Sequence, residues 1–417
     1  MLAALSLLAA SSLRAQAPAQ VPTPLPSYLA QPDPLHQSGQ NVSVFLLTMG
    51  DGDEVWEMFG HAAFWLHDNV TGRDTVFNWG VFNMRAPHFI LHFLEGLNYY
   101  EMGGNSLPDV LNFYREYNRT VKSQELDLTA VEKDSLLSVI RINALPENVK
   151  YRYDYFVDNC STRPRDILDR LLGGQLRIGA DSVTPHSYRW ETLRLMQGDK
   201  PLALGVDIGL GRPSDKPITM WQEMFLPEKL HDWVATRQIH DASGATHPLV
   251  KSERVLFQSQ RSPEPTMAPA LGAWLWPIGL VIGGLFWWLG ASADARGPRI
   301  GAAVAFCVWA TVCGILGVLV TFLSTVSEHR FAHGNENLLL FNPLWLIAAV
   351  LLPMYMIGGR APRTTRWGAF VLAGLAALAL VAHVVMLSAQ SNLAIIGLEL
   401  PATVAIAYAV WRRRAVV

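Results

Sequence analysis

Cys160 stands in the stretch YRYDYFVDNCSTRPRDIL and is one of three cysteines in a chain of 417 residues. Asn159 and Ser161 flank it in a polar turn, at the start of what reads as a helix from Asn159 to Leu172. At a helix start, unpaired backbone N–H groups and the positive end of the dipole favour thiolate over thiol, so a cysteine there is a candidate nucleophile. The competing reading is a small buried core residue. A nucleophilic thiol needs a base, and histidine titrates in the right range. His61, in WEMFGHAAFWLHD, opens a strand-like run behind Gly60, whereas His67, His88 and His92 lie beside turn or helix residues that read as solvated. Taken alone, His61 also fits a satisfied structural histidine.

Which role Cys160 plays depends on its compartment. Half of the residues are hydrophobic and the mean hydropathy is positive, yet charge becomes scarce only after about residue 265, so the chain reads as two proteins joined end to end. The opening MLAALSLLAASSLRAQA predicts a signal peptide or N-terminal anchor over 1–19, and a Pro-rich linker follows over 20–40. From Pro269 onward, five charge-poor runs are each long enough to cross the roughly 30 Å of hydrocarbon in a bilayer. Arg296 and Arg299, then Arg360, Arg363 and Arg366, then Arg412, Arg413 and Arg414 fall on one side of them, which makes that side cytoplasmic and residues 41–265 exported. Cysteines in an oxidising compartment usually pair, but Cys307 and Cys313 lie inside the second apolar run and cannot reach Cys160. Cys160 is therefore expected to be a free exported thiol. A net charge of −2 and the lack of a basic stripe with interleaved aromatics argue against a nucleic-acid partner.

The exported region predicts an α+β domain. HAAFWLHD and DTVFNWGVF read as a hairpin around NVTG, LPDVLNFYREYNRTV as a helix and KSQELDL as a strand. Thr129 and Glu132 form a capping box for the next helix. Tyr151 to Val157 reads as a strand, and Gly173-Gly174 closes the helix that follows. If NVTG is the turn centre, Asn78 shares a face with His61; a slip of one residue would reverse it. SDKPITMWQEMFLPEKLHDWV leads toward the membrane, and its aromatics suit either a core or an interface. In the membrane region, Glu399 and His383 are ionisable groups placed where these are expensive. The exported loop from Ser324 to Asn337 carries His329, Arg330, Asn335 and Asn337; Arg330 suits a lipid phosphate and the amides suit head groups, with a solvated loop as the alternative. His329 and His333 lack the further ligands that a metal site needs.

FGHAAFWL, FNWGVFN, YRYDYFVDNCSTRPRDIL, GRPSDKPITMWQEMFLP and EHRFAHGNENLLLFNPLW together resemble the bacterial Lnb-type lipoprotein N-acyltransferases, from about residue 40 through the polytopic tail. The order of His before Cys also resembles the wider circularly permuted papain-like group. The resemblance implies a permuted papain-like (NlpC-type) exported domain over 41–265, followed by an all-α transmembrane domain of five helices over 266–417. It implies Cys160 as nucleophile and His61 as base, with Asn78 the candidate for the third, orienting group. Asn159, His329, Arg330, Asn335 and Asn337 are the expected substrate contacts, and no cofactor or metal is expected. The implied partners are a phospholipid acyl donor, a lipoprotein acceptor and the inner membrane, with the catalytic domain in the periplasm. Two other readings stay open: an exported cysteine peptidase or amidase acting on cell-wall peptides, and a non-catalytic lipid or lipoprotein binding protein with an inert Cys160.

Overall fold

The computed structural model describes residues 34–241, 243–358 and 363–413. The expected signal segment and most of the Pro-rich linker lie outside the described residues. Seven strands form one sheet: β1 (Val42–Met49), β2 (His61–Asp68), β3 (Asp74–Val81), β4 (Tyr99–Ser106), β5 (Val121–Leu126), β6 (Lys150–Arg152) and β7 (Val250–Phe257). Their spatial order is β7-β5-β1-β2-β3-β4-β6, and every pairing is antiparallel.

Residues of β1 are buried on both faces because the sheet is covered on both sides. Val42, Val44 and Leu46 join the main core, and Leu47 and Met49 a smaller one. Helices α3 (Ala130–Asn143) and α4 (Thr162–Leu171) cover the main face through Leu136, Leu137, Ile140, Ile167 and Leu168, while α2 (Leu107–Glu116) covers the other through Tyr114. A short α1 (Phe89–Glu95) precedes β4. The strand expected over Tyr151 to Val157 stops at Arg152, because the Asp154 carboxylate accepts hydrogen bonds from the Phe156 and Val157 N–H groups and turns the chain. Trp221, Leu230 and Val234 of the SDKPITMWQEMFLPEKLHDWV stretch belong to the main core, which settles their role as packing.

Five helices among the described residues are long and apolar enough to cross a membrane. They are α5 (Leu271–Ala291), α6 (Arg296–Thr325), α7 (Leu344–Gly358) with the turn that leads into it, α8 (Arg363–Val384) and α9 (Leu393–Arg412). Between α5 and α9 the backbones touch: a Cβ on Gly279 would lie 2.1 Å from the Gly397 carbonyl oxygen, and one on Gly283 would lie 2.7 Å from the Pro401 ring. Dispersion rather than water expulsion holds helices together in lipid, so such close approach is what joins this pair.

Gly279→Val should therefore force α5 from α9 at a cost of about 1–3 kcal/mol, read as a fall of several degrees in the thermal midpoint of the detergent-solubilised protein. Gly284→Val, where a Cβ would meet nothing within 4 Å, should leave the midpoint unchanged. Equal effects from the two would contradict the packing argument.

Candidate active site

The site is built where the sheet lets go. Gly60 enters β2 with φ +72°, and a Cβ there would lie 2.7 Å from the Met49 carbonyl oxygen, so the tight turn that delivers His61 opposite Met49 needs glycine. The ladder between β2 and β3 ends at the Ala63–Asn78 pair, which leaves His61 and Ala62 beyond it. Gly80, at φ +98°, lies in the irregularity where β3 slips against β4. Cys160 occupies the resulting gap: a Cβ on Gly80 would lie 3.7 Å from the Cys160 Cβ and 3.5 Å from the Tyr153 ring. Its Sγ accepts a hydrogen bond from the Ala62 N–H, next in the chain to His61, and the residue is 8% exposed.

Asn78 pairs across from Ala63, two residues from His61 and on the same face of the sheet. It hydrogen-bonds to the imidazole, while its Nδ2 donates to the Gly103 carbonyl at 3.4 Å and so turns its oxygen toward the ring. An oxygen accepting from one ring N–H leaves the other nitrogen of the neutral ring free to take a proton. Cys160 is thus held against the residue next to His61, and His61 against Asn78.

Charge at this site is suppressed on both partners. Burial pushes the Cys160 thiol up to about 11, against the pull of the Ala62 N–H, its own N–H and the Arg119 cation. Burial first, and then Arg119, lower His61 to about 4, opposed by its bond to Asn78. The resting pair is a neutral thiol and a neutral imidazole.

The thiolate expected from the helix start is absent for a structural reason. Helix α4 begins at Thr162 with Ser161 as its N-cap, so Cys160 precedes the helix. The N–H groups of Ser161 and Thr162 both donate to Asn159 Oδ1, each at 2.9 Å, instead of to sulfur. Asn159 Nδ2 donates in turn to the carbonyls of Tyr155 at 2.8 Å and Phe225 at 2.9 Å. Asn159, expected to contact substrate, is buried and fully engaged in holding the peptide of Cys160.

Arg119 was not singled out by sequence, where it falls in the stretch LPDVLNFYREYNRTV read as a helix; that helix ends at Glu116, before Arg119. It is buried just before β5, donating from Nε to the Gly50 carbonyl at 3.0 Å and pairing with Glu57 at 3.0 Å, with its guanidinium 4.7 Å from the centre of the Tyr114 ring. Gly50 follows Met49, the partner of His61, so a fixed cation sits one strand from the imidazole and opposes a second positive charge there.

The late loop splits. His329 Nε2 lies 2.6 Å from the Phe93 carbonyl oxygen and its ring stacks on Tyr155; Arg330 pairs with Asp154 at 2.8 Å and stays largely exposed. Asn335 and Asn337 are buried, and both donate to the Ile208 carbonyl, at 2.8 and 3.1 Å. Their expected head-group contacts are corrected accordingly: the amides fasten the loop to the helix Lys200–Gly209. Glu399 is fully buried in α9 and hydrogen-bonded to Thr403. Among the described residues His186, Glu191 and Glu223 are close enough to share an ion, but Arg194 on Glu191 at 2.7 Å and Lys229 near Glu223 at 3.5 Å already offset both carboxylates.

With a thiol near 11, only about one Cys160 in 10⁴ is thiolate at pH 7, so alkylation by iodoacetamide should rise roughly tenfold per pH unit from 7 to 10. A rate flat between pH 6 and 9 would mean a preformed thiolate. Removing the Arg119 cation should let the His61 imidazole take a proton at higher pH. In the Arg119→Gln/Glu57→Gln variant, which leaves no unpaired charge, the His61 titration followed by imidazole NMR should move up by about one pH unit. An unmoved titration would remove Arg119 from the electrostatics of the site.

Residues 36–196 match the family described as the Lnb N-terminal periplasmic domain, and residues 294–414 match the Lnb transmembrane domain. No curated protein and no solved structure gives a match. His61, Asn78, Arg119 and Cys160 all lie within the first matched segment. With both domains of one family present in order, an α+β domain of the periplasmic type followed by the helical membrane domain, this multi-pass membrane protein belongs to the Lnb family.

Proposed function

We propose that the chain is an inner-membrane acyltransferase that moves an acyl chain from a phospholipid, through a thioester on Cys160, to the α-amine of the lipidated N-terminal cysteine of a bacterial lipoprotein. The observation that carries the reading is the buried Cys160 thiol held by the Ala62 N–H at the start of β2, next in the chain to His61 with its partner Asn78, in a domain fastened to five membrane helices.

Because the thiol rests protonated, its activation is general-base catalysis within the attack. His61 takes the proton from Sγ as sulfur bonds to the ester carbonyl carbon. The Ala62 and Cys160 N–H groups, which face Sγ, are the donors within reach of the developing oxyanion, in place of the capped N–H groups of α4. Collapse breaks the carbon–oxygen bond, and the imidazolium returns its proton to the departing lysophospholipid oxygen. The lipoprotein amine then attacks the thioester carbon. His61 takes the amine proton, the carbon–sulfur bond breaks, and the proton returns to sulfur. Asn78 accepts from the ring N–H throughout and stabilises the imidazolium of each half-reaction. Low exposure of Cys160 slows the competing attack by water, which favours transfer over hydrolysis.

Purified protein incubated with phospholipid labelled in its acyl chain should gain label on Cys160 before any acceptor is added. Neutral hydroxylamine should release that label, and a synthetic diacylglyceryl-cysteine peptide should receive it. Cys160→Ala should acquire none, and His61→Ala should acquire it about 10²–10⁴-fold more slowly, the usual contribution of a general base. Cleavage of cell-wall peptides with no lipid adduct would replace transferase by hydrolase. A chain that acts on neither substrate would be a binding protein.

A further inference from the structure

Helix α1 reads FILHFLE, and none of its residues is buried. Ile90 is 65% exposed, Leu91 50% and Phe93 39%, side by side on one short helix. The helix is closed at its C-terminal end: Gly96, at φ +78°, donates its N–H to the Phe93 carbonyl, and Leu97 donates to the His92 carbonyl at 2.9 Å. A contiguous apolar surface of this kind marks an interaction site, and its location identifies the partner. The Glu328 N–H donates to the Glu95 carbonyl at 2.8 Å, and His329 Nε2 meets the Phe93 carbonyl oxygen at 2.6 Å. Both belong to the loop that leaves α6, whose last helical residue is Thr325. Contact is close enough that a Cβ on Gly96 would lie 2.9 Å from the His329 nitrogen. α1 is thus fastened to the chain within four residues of the end of a membrane-spanning helix, which is where an amphipathic element would meet the head groups.

From the inner side of α1, stacked rings lead to the thiol. Phe89 stacks on Phe82 at 5.9 Å between centroids, Phe82 on Tyr100 at 4.8 Å, and Tyr100 on Tyr153 at 4.3 Å. Tyr153 borders the Gly80 gap that holds Cys160. We propose that α1 seats in the leaflet on the catalytic side of the membrane, and that the aromatic run behind it is the path by which the acyl chain of a leaflet phospholipid reaches Cys160. The second half rests on the acyltransfer reading; the seating of α1 in lipid does not.

Two measurements separate these halves. For the first, Leu91→Cys is labelled with a bimane fluorophore in full-length protein whose own cysteines are replaced by alanine, and the protein is reconstituted into phosphatidylethanolamine–phosphatidylglycerol vesicles. Lipid spin-labelled near the head group should quench it, and aqueous iodide should quench it at least threefold less than it quenches a free labelled peptide. Quenching by iodide alone places α1 in water, and quenching by neither places it under protein, such as a second copy; either overturns the seating. For the second, Ile90→Asp/Leu91→Asp should lower labelling of Cys160 by vesicle phospholipid at least tenfold more than labelling by a short-chain, water-soluble phospholipid. An equal loss with both donors overturns the path. If wild type is labelled by neither donor, the acyltransfer reading and the path fall together, and the fluorescence result still decides the seat.

Discussion

The four hydrogen bonds of the Asn159 side-chain amide are the constraint on which the site depends. They join the turn after β6, the start of α4 and the Phe225 carbonyl, segments that no ladder or helix otherwise connects. A buried amide with every donor and acceptor matched permits few arrangements, since breaking any bond leaves an unpaired group away from water at about 1–3 kcal/mol. Cys160 is the next residue, so its sulfur has little choice of position. The same amide occupies the helix N–H groups that would have stabilised a thiolate. Geometric precision is thus obtained at the expense of a resting negative charge, and in the proposed reaction proton transfer falls to His61.

What could be seen in the sequence follows the range of the interactions. Thr129 and Glu132 announce the start of α3 because both capping bonds close within four residues. The hairpin that brings Asn78 to the face of His61 was legible for the same reason, given its alternating pattern and turn sequence. Cys160 was placed inside a helix because nothing in DNCST reveals that the Asn159 side chain caps the segment beyond it. Arg119 gave no signal, because its significance comes from Glu57 and Gly50, about 60 to 70 residues away. Asn335 and Asn337 looked like surface amides because the Ile208 carbonyl that they hold lies more than a hundred residues upstream. β7 was missed because its pairing with β5 reaches across a similar span.

The junction of the two domains sets an apolar cluster, Leu193, Met196 and Ala203 against Leu271 and Leu275, beside a group of directional hydrogen bonds. Besides the two asparagines, Gln390 donates to the Leu210 carbonyl at 3.1 Å and to Asn335 at 3.2 Å, and Asn392 donates to Asn337 at 3.1 Å. Arg189, buried beneath, pairs with Asp207 at 2.6 Å and Asp215 at 2.9 Å. Greasy contacts between domains tolerate sliding, whereas a lattice of directional bonds does so far less. Such a join holds the domain and the bundle in register, so the distance from the thiol to the bilayer is a property of the fold.

The outer strand β7 has a consequence for synthesis. It ends at Phe257, only fourteen residues before α5 begins at Leu271. The sheet therefore lacks its last strand until nearly all of the exported chain has emerged, and β5 has an open edge for most of that time. Early strands must wait for a partner made about 130 residues later, a non-local closure of the kind that slows folding. Completion of the sheet and insertion of α5 become neighbouring events on the ribosome, so the non-local closure of β5 and the entry of α5 into the membrane compete for the same short interval.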